Sequence, residues 1–178
     1  MRLFGVQAVN PAALYAPPRP AQGPPETWWD RFDPEYPMAR QSQEWTCSIC
    51  AATWVLQATG INPDATREQV AYDLGYPTCV NPAVGLADTN CMVDLFESYG
   101  LDATREWVNW DRALEICAQT TGVLNSTRWY HFVAIRGVRN GNLWVANSAP
   151  GYQGIWDEVT PAQFQAWAGS WQTVWLAH

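Results

Sequence analysis

The sequence contains no lysine, and its charge is weighted toward acid. In this chain of 178 residues the ten basic residues are all arginine, against 17 acidic residues, which gives a net charge of −7 at pH 7. Proteins that bind nucleic acid through its phosphates need a basic surface, and anionic membrane surfaces also attract basic segments. We therefore expect a protein that binds no nucleic acid and does not act on a membrane surface.

Long apolar runs and a secretory signal are also lacking. No stretch approaches the ~18 apolar residues that a membrane-spanning helix needs, so we expect no membrane insertion. The first 25 residues do not combine a basic region with an apolar core. These absences predict a protein that is cytoplasmic as synthesised. Action at the cell wall, after lysis or as part of a larger protein, remains an alternative.

Histidine and cysteine, the residues that carry most nucleophilic chemistry, are few. Histidine occurs at position 131 and at the last position, 178. The five cysteines are Cys47, Cys50, Cys79, Cys91 and Cys117. An odd number leaves at least one thiol free. Without an export signal we expect reduced thiols, with a Cys79–Cys91 or a Cys50–Cys79 bridge as the alternatives.

Tryptophan and proline are abundant. Twelve tryptophans are more than a core of this size can bury, so some of them must line surfaces or grooves. Residues 11–37 carry most of the 13 prolines, which is typical of an extended arm. We divide the chain into an arm, residues 1–40, and a domain, residues 41–178. Trp28, Trp29 and Phe32 predict that the end of the arm docks onto this domain.

The apolar periodicity predicts helices before a β-rich half. Predicted helices span residues 47–59, 64–74, 90–99 and 110–119, and a short helix starts at Thr160. Predicted strands span residues 101–106, 122–126, 131–138, 143–147, 153–159 and 171–177. Asn140-Gly141 is a hairpin signal between two of these strands. Helices followed by an antiparallel sheet predict an α+β fold.

Cys47 opens the first predicted helix and is the candidate nucleophile. Backbone dipoles at a helix start favour a thiolate, so we expect a lowered pKa for this thiol. Gln41 lies six residues earlier, and its side-chain NH₂ and the Cys47 N–H are candidate donors to an oxyanion. The alternative interpretation is an ordinary buried helix cysteine.

His131 opens a predicted strand, and Asn147 ends the strand that pairs with it. The hairpin at Asn140-Gly141 brings the far ends of the two strands together, so the amide can orient the imidazole. A histidine there exchanges its proton near neutral pH. Each residue alone is compatible with a structural role. A Cys/His pair with an orienting amide is the minimal apparatus of nucleophilic acyl transfer.

These segments resemble the papain-like cysteine peptidases. The likeness is greatest to the peptidase domains of bacteriocin exporters and to their stand-alone bacterial and phage relatives. That branch has Gln, five residues, then Cys-Gly-Pro-Ala-Ala; here Gln41 precedes the string CSICAA, which starts at Cys47. Its histidine opens a strand, and Asp or Asn ends the return strand before Pro; here the strings are HFVAIRG from His131 and VANSAP around Asn147. The resemblance covers roughly residues 41–176.

The resemblance implies a papain-like fold, with an N-terminal helical part whose central nucleophile helix packs on a C-terminal antiparallel sheet. It also implies a cysteine peptidase with Cys47, His131, Asn147 and Gln41 as catalytic residues, acting on a peptide through a thioester. Peptidoglycan stem peptides are one such substrate class. We expect a monomer without cofactor or metal, and a substrate groove lined by some of Trp45, Trp129 and Tyr130.

Several alternatives remain open. Cys50 is also near the helix start, but the residue six positions before it is Glu44, which would repel an oxyanion. Cys47-x-x-Cys50 could instead be half of a zinc site or a thioredoxin-like redox motif, although the second ligand pair and the preceding strand that these need are missing. An inactive papain-like binding module and acyl or amidase transfer on the same triad are the alternative functions.

Overall fold

A six-stranded antiparallel sheet forms the centre of the protein, seen in a computed structural model that describes residues 28–128, 130–149, 158–167 and 171–177. The strands lie in the order β3-β8-β4-β5-β6-β7. Their bounds are β3 Ala103–Val108, β4 Gly122–Ser126, β5 His131–Arg139, β6 Asn142–Ala146, β7 Glu158–Val159 and β8 Trp171–Leu176. A separate two-stranded hairpin pairs β1, Val80–Asn81, with β2, Gly85–Leu86.

Helices cover both faces of the large sheet. They are α1 Cys47–Ala58, α2 Arg67–Asp73, α3 Asn90–Ser98, α4 Trp110–Gln119 and α5 Pro161–Trp167. Strand β5 serves both faces: Phe132 and Ala134 belong to the core formed with α1 to α3, and Val133 and Ile135 to the core formed with α4 and α5. Alternate residues of a strand point to opposite faces, so β5 is apolar on both sides. In the described ranges, no helix is long and apolar enough to cross a membrane.

The central helix α1 is buried on all sides. Of its twelve residues only Gln57 is not buried, and such a helix belongs in the interior rather than at the surface. It packs against β5 and β4. This position places the start of α1, with Cys47, against the start of β5, with His131.

The predicted elements are largely confirmed, with shifted ends. Helices α1, α3 and α4 and strand β4 lie where the periodicity predicts them. Helix α2 begins later than predicted because the side chain of Thr66 accepts a hydrogen bond from the Gln69 N–H and caps it there. The strand predicted over 153–159 is observed only as β7; residues 153–157 lie outside the described residues. The hairpin β1–β2 was not predicted.

The expectation that all thiols are reduced is wrong. Cys79 and Cys91 form a disulfide, one of the two alternatives, whereas Cys47, Cys50 and Cys117 are free. The bridge links the residue before β1 to the first turn of α3. The disulfide therefore closes a loop that contains the β1–β2 hairpin and ties this hairpin to the start of α3.

The described end of the arm docks onto the domain, as the aromatic residues predict. Trp28 is buried and donates from Nε1 to the Ala177 carbonyl at 3.3 Å. Phe32 meets Trp54 of α1 edge to face, with ring centroids 6.2 Å apart. Trp54 Nε1 in turn donates to the Tyr36 carbonyl at 2.8 Å. Residues 28–40 therefore share the domain's core, and the division of the chain at residue 40 stays a prediction.

We expect Gly122→Ala to destabilise the fold by about 3 kcal/mol, because the added carbon overpacks a backbone contact. A Cβ at Gly122 would lie 2.2 Å from the Val174 carbonyl oxygen and 2.7 Å from the Trp175 Cα, both in strand β8. Denaturant unfolding measures the change. Gly100→Ala is the matched control, since its φ is also positive but nothing lies within 4 Å of the new carbon; equal losses in the two variants would contradict the clash.

Candidate active site

Cys47 lies at the junction of α1 and β5, almost enclosed by the protein. Its Sγ is 3.8 Å from the carbonyl oxygen of Tyr130, the residue immediately before His131. Only 4% of the Cys47 surface is exposed. A short 3₁₀ turn, Glu44–Thr46, leads into α1. The two residues that the sequence pairs as nucleophile and base are therefore brought to one place by the packing of the helix on the strand.

Tyr130 shapes this junction through its backbone. Its φ is +48°, a left-handed value that non-glycine residues adopt rarely and mostly at functional sites. The turn directs its carbonyl oxygen toward Cys47 and starts β5 with His131. The Tyr130 ring is 77% exposed, so the residue serves the site from the backbone while its side chain remains at the surface.

The imidazole of His131 is held by Asn147 in one tautomer. Nε2 of His131 lies 2.9 Å from Oδ1 of Asn147. The same oxygen accepts the Ala149 N–H at 3.0 Å, which identifies it as oxygen rather than nitrogen. A carbonyl oxygen only accepts, so Nε2 carries the hydrogen and Nδ1 of a neutral ring is the basic nitrogen. This confirms that the two residues meet, as the hairpin predicts.

The Asn147 amide is held by its oxygen alone. Its Nδ2 is buried, and among the described residues it has no hydrogen-bond partner. An unpaired buried donor has a cost of about 1–3 kcal/mol. Asn147 is therefore one of the few places where the fold keeps an unfavourable polar group, and that place is the site.

Gln41 is fixed beside the start of α1 by a residue that the sequence interpretation missed. Its Oε1 accepts from the Ser148 hydroxyl at 2.9 Å, and its backbone N–H donates to the Ser148 carbonyl, also at 2.9 Å. Its Nε2 lies 3.1 Å from the Gln43 carbonyl and 3.2 Å from that of Glu44. The amide is thus oriented with its NH₂ toward the turn that leads into Cys47. Ser148 directly follows Asn147, and that adjacency is the only sequence signal for it.

Burial sets the resting protonation of the pair, and it opposes the sequence expectation for Cys47. Desolvation raises the pKa of the Cys47 thiol above its ordinary value, although backbone N–H groups of Phe132 and Ser48 lower it in part. Desolvation also lowers the pKa of His131, with the Asn147 bond acting the other way. Enclosure penalises charge on both groups. The resting site therefore holds a neutral thiol and a neutral imidazole rather than an ion pair.

Cys50 has a different environment. It lies one turn along α1, is buried, and has Arg67 Nη1 at 4.0 Å from its Sγ. Burial raises the pKa of Cys50, and Arg67 lowers it in part. Cys50 thus contacts Arg67 of α2 and Ser148, whereas Cys47 contacts the carbonyl of the residue that precedes His131.

The aromatic residues expected to line a groove have different surroundings in the structure. Tyr130 lines a cleft together with Phe132, the residue after His131. Trp45 instead stacks on Tyr76, with centroids 6.2 Å apart. Trp129 lies outside the described residues. Of the two aromatic residues that the structure describes, Tyr130 lines this cleft and Trp45 does not, and their part in a substrate groove stays a prediction.

The sequence matches no protein-family model and no curated protein. Several solved structures share its fold, among them two peptidase structures. One is a double-glycine-motif protease from an AMS/PCAT transporter in complex with the leader peptide. Its TM-score is 0.58 at 18% identity, covering 83% of this chain and 96% of that one. The other is the peptidase domain of Streptococcus ComA, a bifunctional ABC transporter of a quorum-sensing pathway. Its TM-score is 0.59 at 13% identity, covering 80% and 98%. The papain-like α+β fold that the sequence resemblance implies is confirmed.

Proposed function

We propose that the protein is a cysteine peptidase that hydrolyses a peptide amide bond with Cys47 as nucleophile and His131 as base. The observation that carries the proposal is the linked pair of contacts at the start of β5. Cys47 Sγ touches the Tyr130 carbonyl, and the next residue, His131, is locked by Asn147 with its basic nitrogen defined. The fold shared with two peptidase domains supports the same conclusion.

In the acylation step His131 Nδ1 takes the proton of Cys47 as Sγ attacks the substrate carbonyl carbon. Charge develops on the carbonyl oxygen, where the Cys47 N–H acts as one donor. The second donor is an N–H of the Gln41 NH₂, which leaves the Gln43 or Glu44 carbonyl that it contacts at rest. The carbon–nitrogen bond then breaks, and the imidazolium gives its proton to the leaving amine. A thioester remains on Cys47.

In the deacylation step the neutral imidazole takes a proton from water, which attacks the thioester carbonyl. The carbon–sulfur bond breaks, the acid product leaves, and the thiol recovers its proton. Asn147 keeps the same ring nitrogen basic in both steps. Because both groups rest neutral, the ion pair forms only when the substrate carbonyl is present to receive the thiolate.

The substrate class that we propose is a peptide. One of the structures with the same fold is a protease in complex with the leader peptide, which supports this class. The narrower assignment within this proposal is a peptidoglycan stem peptide. Comparing hydrolysis of isolated stem peptides with that of linear peptides of ordinary L-residues decides between the two by product mass.

Alkylation of the free thiols tests the proposal. We expect iodoacetamide to modify Cys47 before Cys50, and Cys117 not at all, because Cys117 is buried and its pKa is raised to about 12. Peptide mass spectrometry gives the rate at each site. His131→Ala should slow the reaction at Cys47 only. Equal rates at Cys47 and Cys50, unchanged in the variant, would favour an inactive binding module.

Gln41→Ala is expected to lower kcat by about 10²–10³ with little change in KM, the loss typical of one oxyanion donor. Ser148→Ala should give a smaller loss, about tenfold, because the amide keeps its donors but loses the hydroxyl that orients it. Steady-state kinetics on one peptide measures both. Thr104→Ala, at an exposed position of the edge strand β3, serves as a control for an unrelated hydroxyl deletion. A Gln41 variant with wild-type kcat would remove this residue from the mechanism.

A further inference from the structure

A cleft that reaches Tyr130 and Phe132, the residues on either side of His131, ends in a polar floor that no part of the mechanism uses. Its volume is about 240 Å³, below the ~300–1,000 Å³ of ordinary small-molecule pockets. Tyr130 and Phe132, the neighbours of His131, line one wall, and the β2–α3 segment that the Cys79–Cys91 disulfide encloses lines the other. A space of this size fits one side chain of a bound peptide, and it shares Tyr130 with the surroundings of Cys47, whose Sγ lies 3.8 Å from the Tyr130 carbonyl oxygen.

The floor is a row of residues across the large sheet. Trp107, Gln172, Asn125 and Phe132 are successive register partners on β3, β8, β4 and β5, so they share one sheet face. Nearer α1 the same face is apolar, with Val123 and Val174 in the core. The face thus changes from apolar to polar where the helix no longer covers it.

The side-chain oxygen of Asn125 is the group in this cleft that a ligand could satisfy. It is 8% exposed, and its Oδ1 is buried with no hydrogen-bond partner among the described residues. The neighbouring Gln172 is satisfied, because its Oε1 accepts from the Thr89 hydroxyl at 2.8 Å. A buried acceptor without a donor is unfavourable, and in a concave site it favours a ligand that brings the donor.

The charges at the cleft limit what that ligand can be. Arg105 lines the cleft, with its Nη1 3.8 Å from Asp88 Oδ1 and both side chains partly exposed. Asp88 also lines the cleft, so the Arg105–Asp88 pair leaves no net charge to hold an ammonium group or a carboxylate. A carboxylate would in addition meet the Asn125 oxygen. An apolar side chain would leave that oxygen unpaired. A neutral group with both a donor and an acceptor satisfies each partner.

We propose that this cleft selects a glutamine or asparagine side chain of the substrate, whose NH₂ donates to Asn125 Oδ1 and whose carbonyl accepts from Arg105. A primary carboxamide carries a donor and an acceptor in one plane, so one group can donate to Asn125 Oδ1 and accept from Arg105 at the same time. The exposed ring of Trp107 covers the stem of that side chain. The inference rests on the proposed peptidase function for its reaction but not for its binding step.

Protection of Cys47 from iodoacetamide tests the binding step without hydrolysis. The probes are short alanine peptides, N-acetylated and closed by an N-methylamide, with Gln, Leu, Glu or Lys at each position in turn. We expect a Gln peptide to protect at a concentration about 10- to 100-fold lower than its Leu counterpart. Asn125→Leu should reduce that ratio to about threefold or less, and Asn125→Asp should shift the preference to Lys.

Asn109→Asp, at the N-cap of α4 and outside the cleft-lining residues, controls for the added charge. Thermal unfolding verifies that each variant folds. If a variant does not fold, the Gln-over-Leu preference of the wild-type protein tests the inference by itself. Protection without a Gln or Asn preference overturns the inference, as does a preference that survives Asn125→Leu. Peptides cleaved without that preference leave the peptidase proposal intact, whereas selective protection without cleavage removes the peptidase proposal and keeps the cleft.

Discussion

Cys47→Ala is expected to abolish peptide hydrolysis, with a loss in kcat on the order of 10⁵-fold or more. Removing the nucleophile from a covalent mechanism leaves only binding and the oxyanion donors, and such losses reach about 10⁶ in comparable hydrolases. Substrate should still bind, because the cleft and Gln41 are unchanged. Single-turnover product analysis measures the rate, and protection or calorimetry measures the binding.

Cys50→Ala is the matched control for that variant. Both cysteines lie in the first turn of α1, both are free, and both are buried. Cys50 contacts Arg67 and Ser148 rather than His131, so we expect this variant to keep its activity within a few fold and to lose some stability. An inactive Cys50→Ala beside an active Cys47→Ala would transfer the nucleophile to Cys50 and separate Gln41 from the oxyanion.

His131→Ala should be the second most damaging substitution, lowering kcat by about 10⁴-fold or more, since no base then accepts the thiol proton. The control is His131→Gln, which keeps a polar side chain that can still contact Asn147 but cannot exchange a proton near neutral pH. Both variants should be inactive if proton transfer is the role. Activity retained in His131→Gln would reduce His131 to a structural residue.

The pH profile of kcat/KM carries an independent signature of the pair. Catalysis starts from a neutral imidazole and a neutral thiol. Burial lowers the pKa of His131 below its ordinary 6.5 and raises that of Cys47 above its ordinary 9.0. Activity should rise with a midpoint below 6.5 as the imidazole loses its proton, and fall above pH 9.0 as the thiol loses its own. A profile that starts to fall near neutral pH would contradict the neutral resting pair.

Where local rules decide, the sequence was a good guide to the structure. Helix α4 begins after Asn109 because that side chain accepts a hydrogen bond from the Arg112 N–H. Such a cap joins residues only three positions apart, so it can be recognised in the sequence. The β5–β6 hairpin turns at Asn140-Gly141, where both φ values are positive, as the dipeptide predicts. His131 and Asn147 could be paired from the sequence because a hairpin converts a sequence separation into a register.

The sequence by itself predicted the order of helices and strands apart from the β1–β2 hairpin, the α+β class and the candidate residues for acyl-transfer chemistry. Only the tertiary structure decided how that set is held. Ser148 orients Gln41 across 107 positions of the chain, and the Tyr130 carbonyl meets Cys47 across 83. The tertiary structure also raises the pKa of Cys47 by burial and leaves the side-chain oxygen of Asn125 without a partner among the described residues. Each depends on which atoms surround a group after packing, and burial is a property of the whole fold rather than of any local pattern.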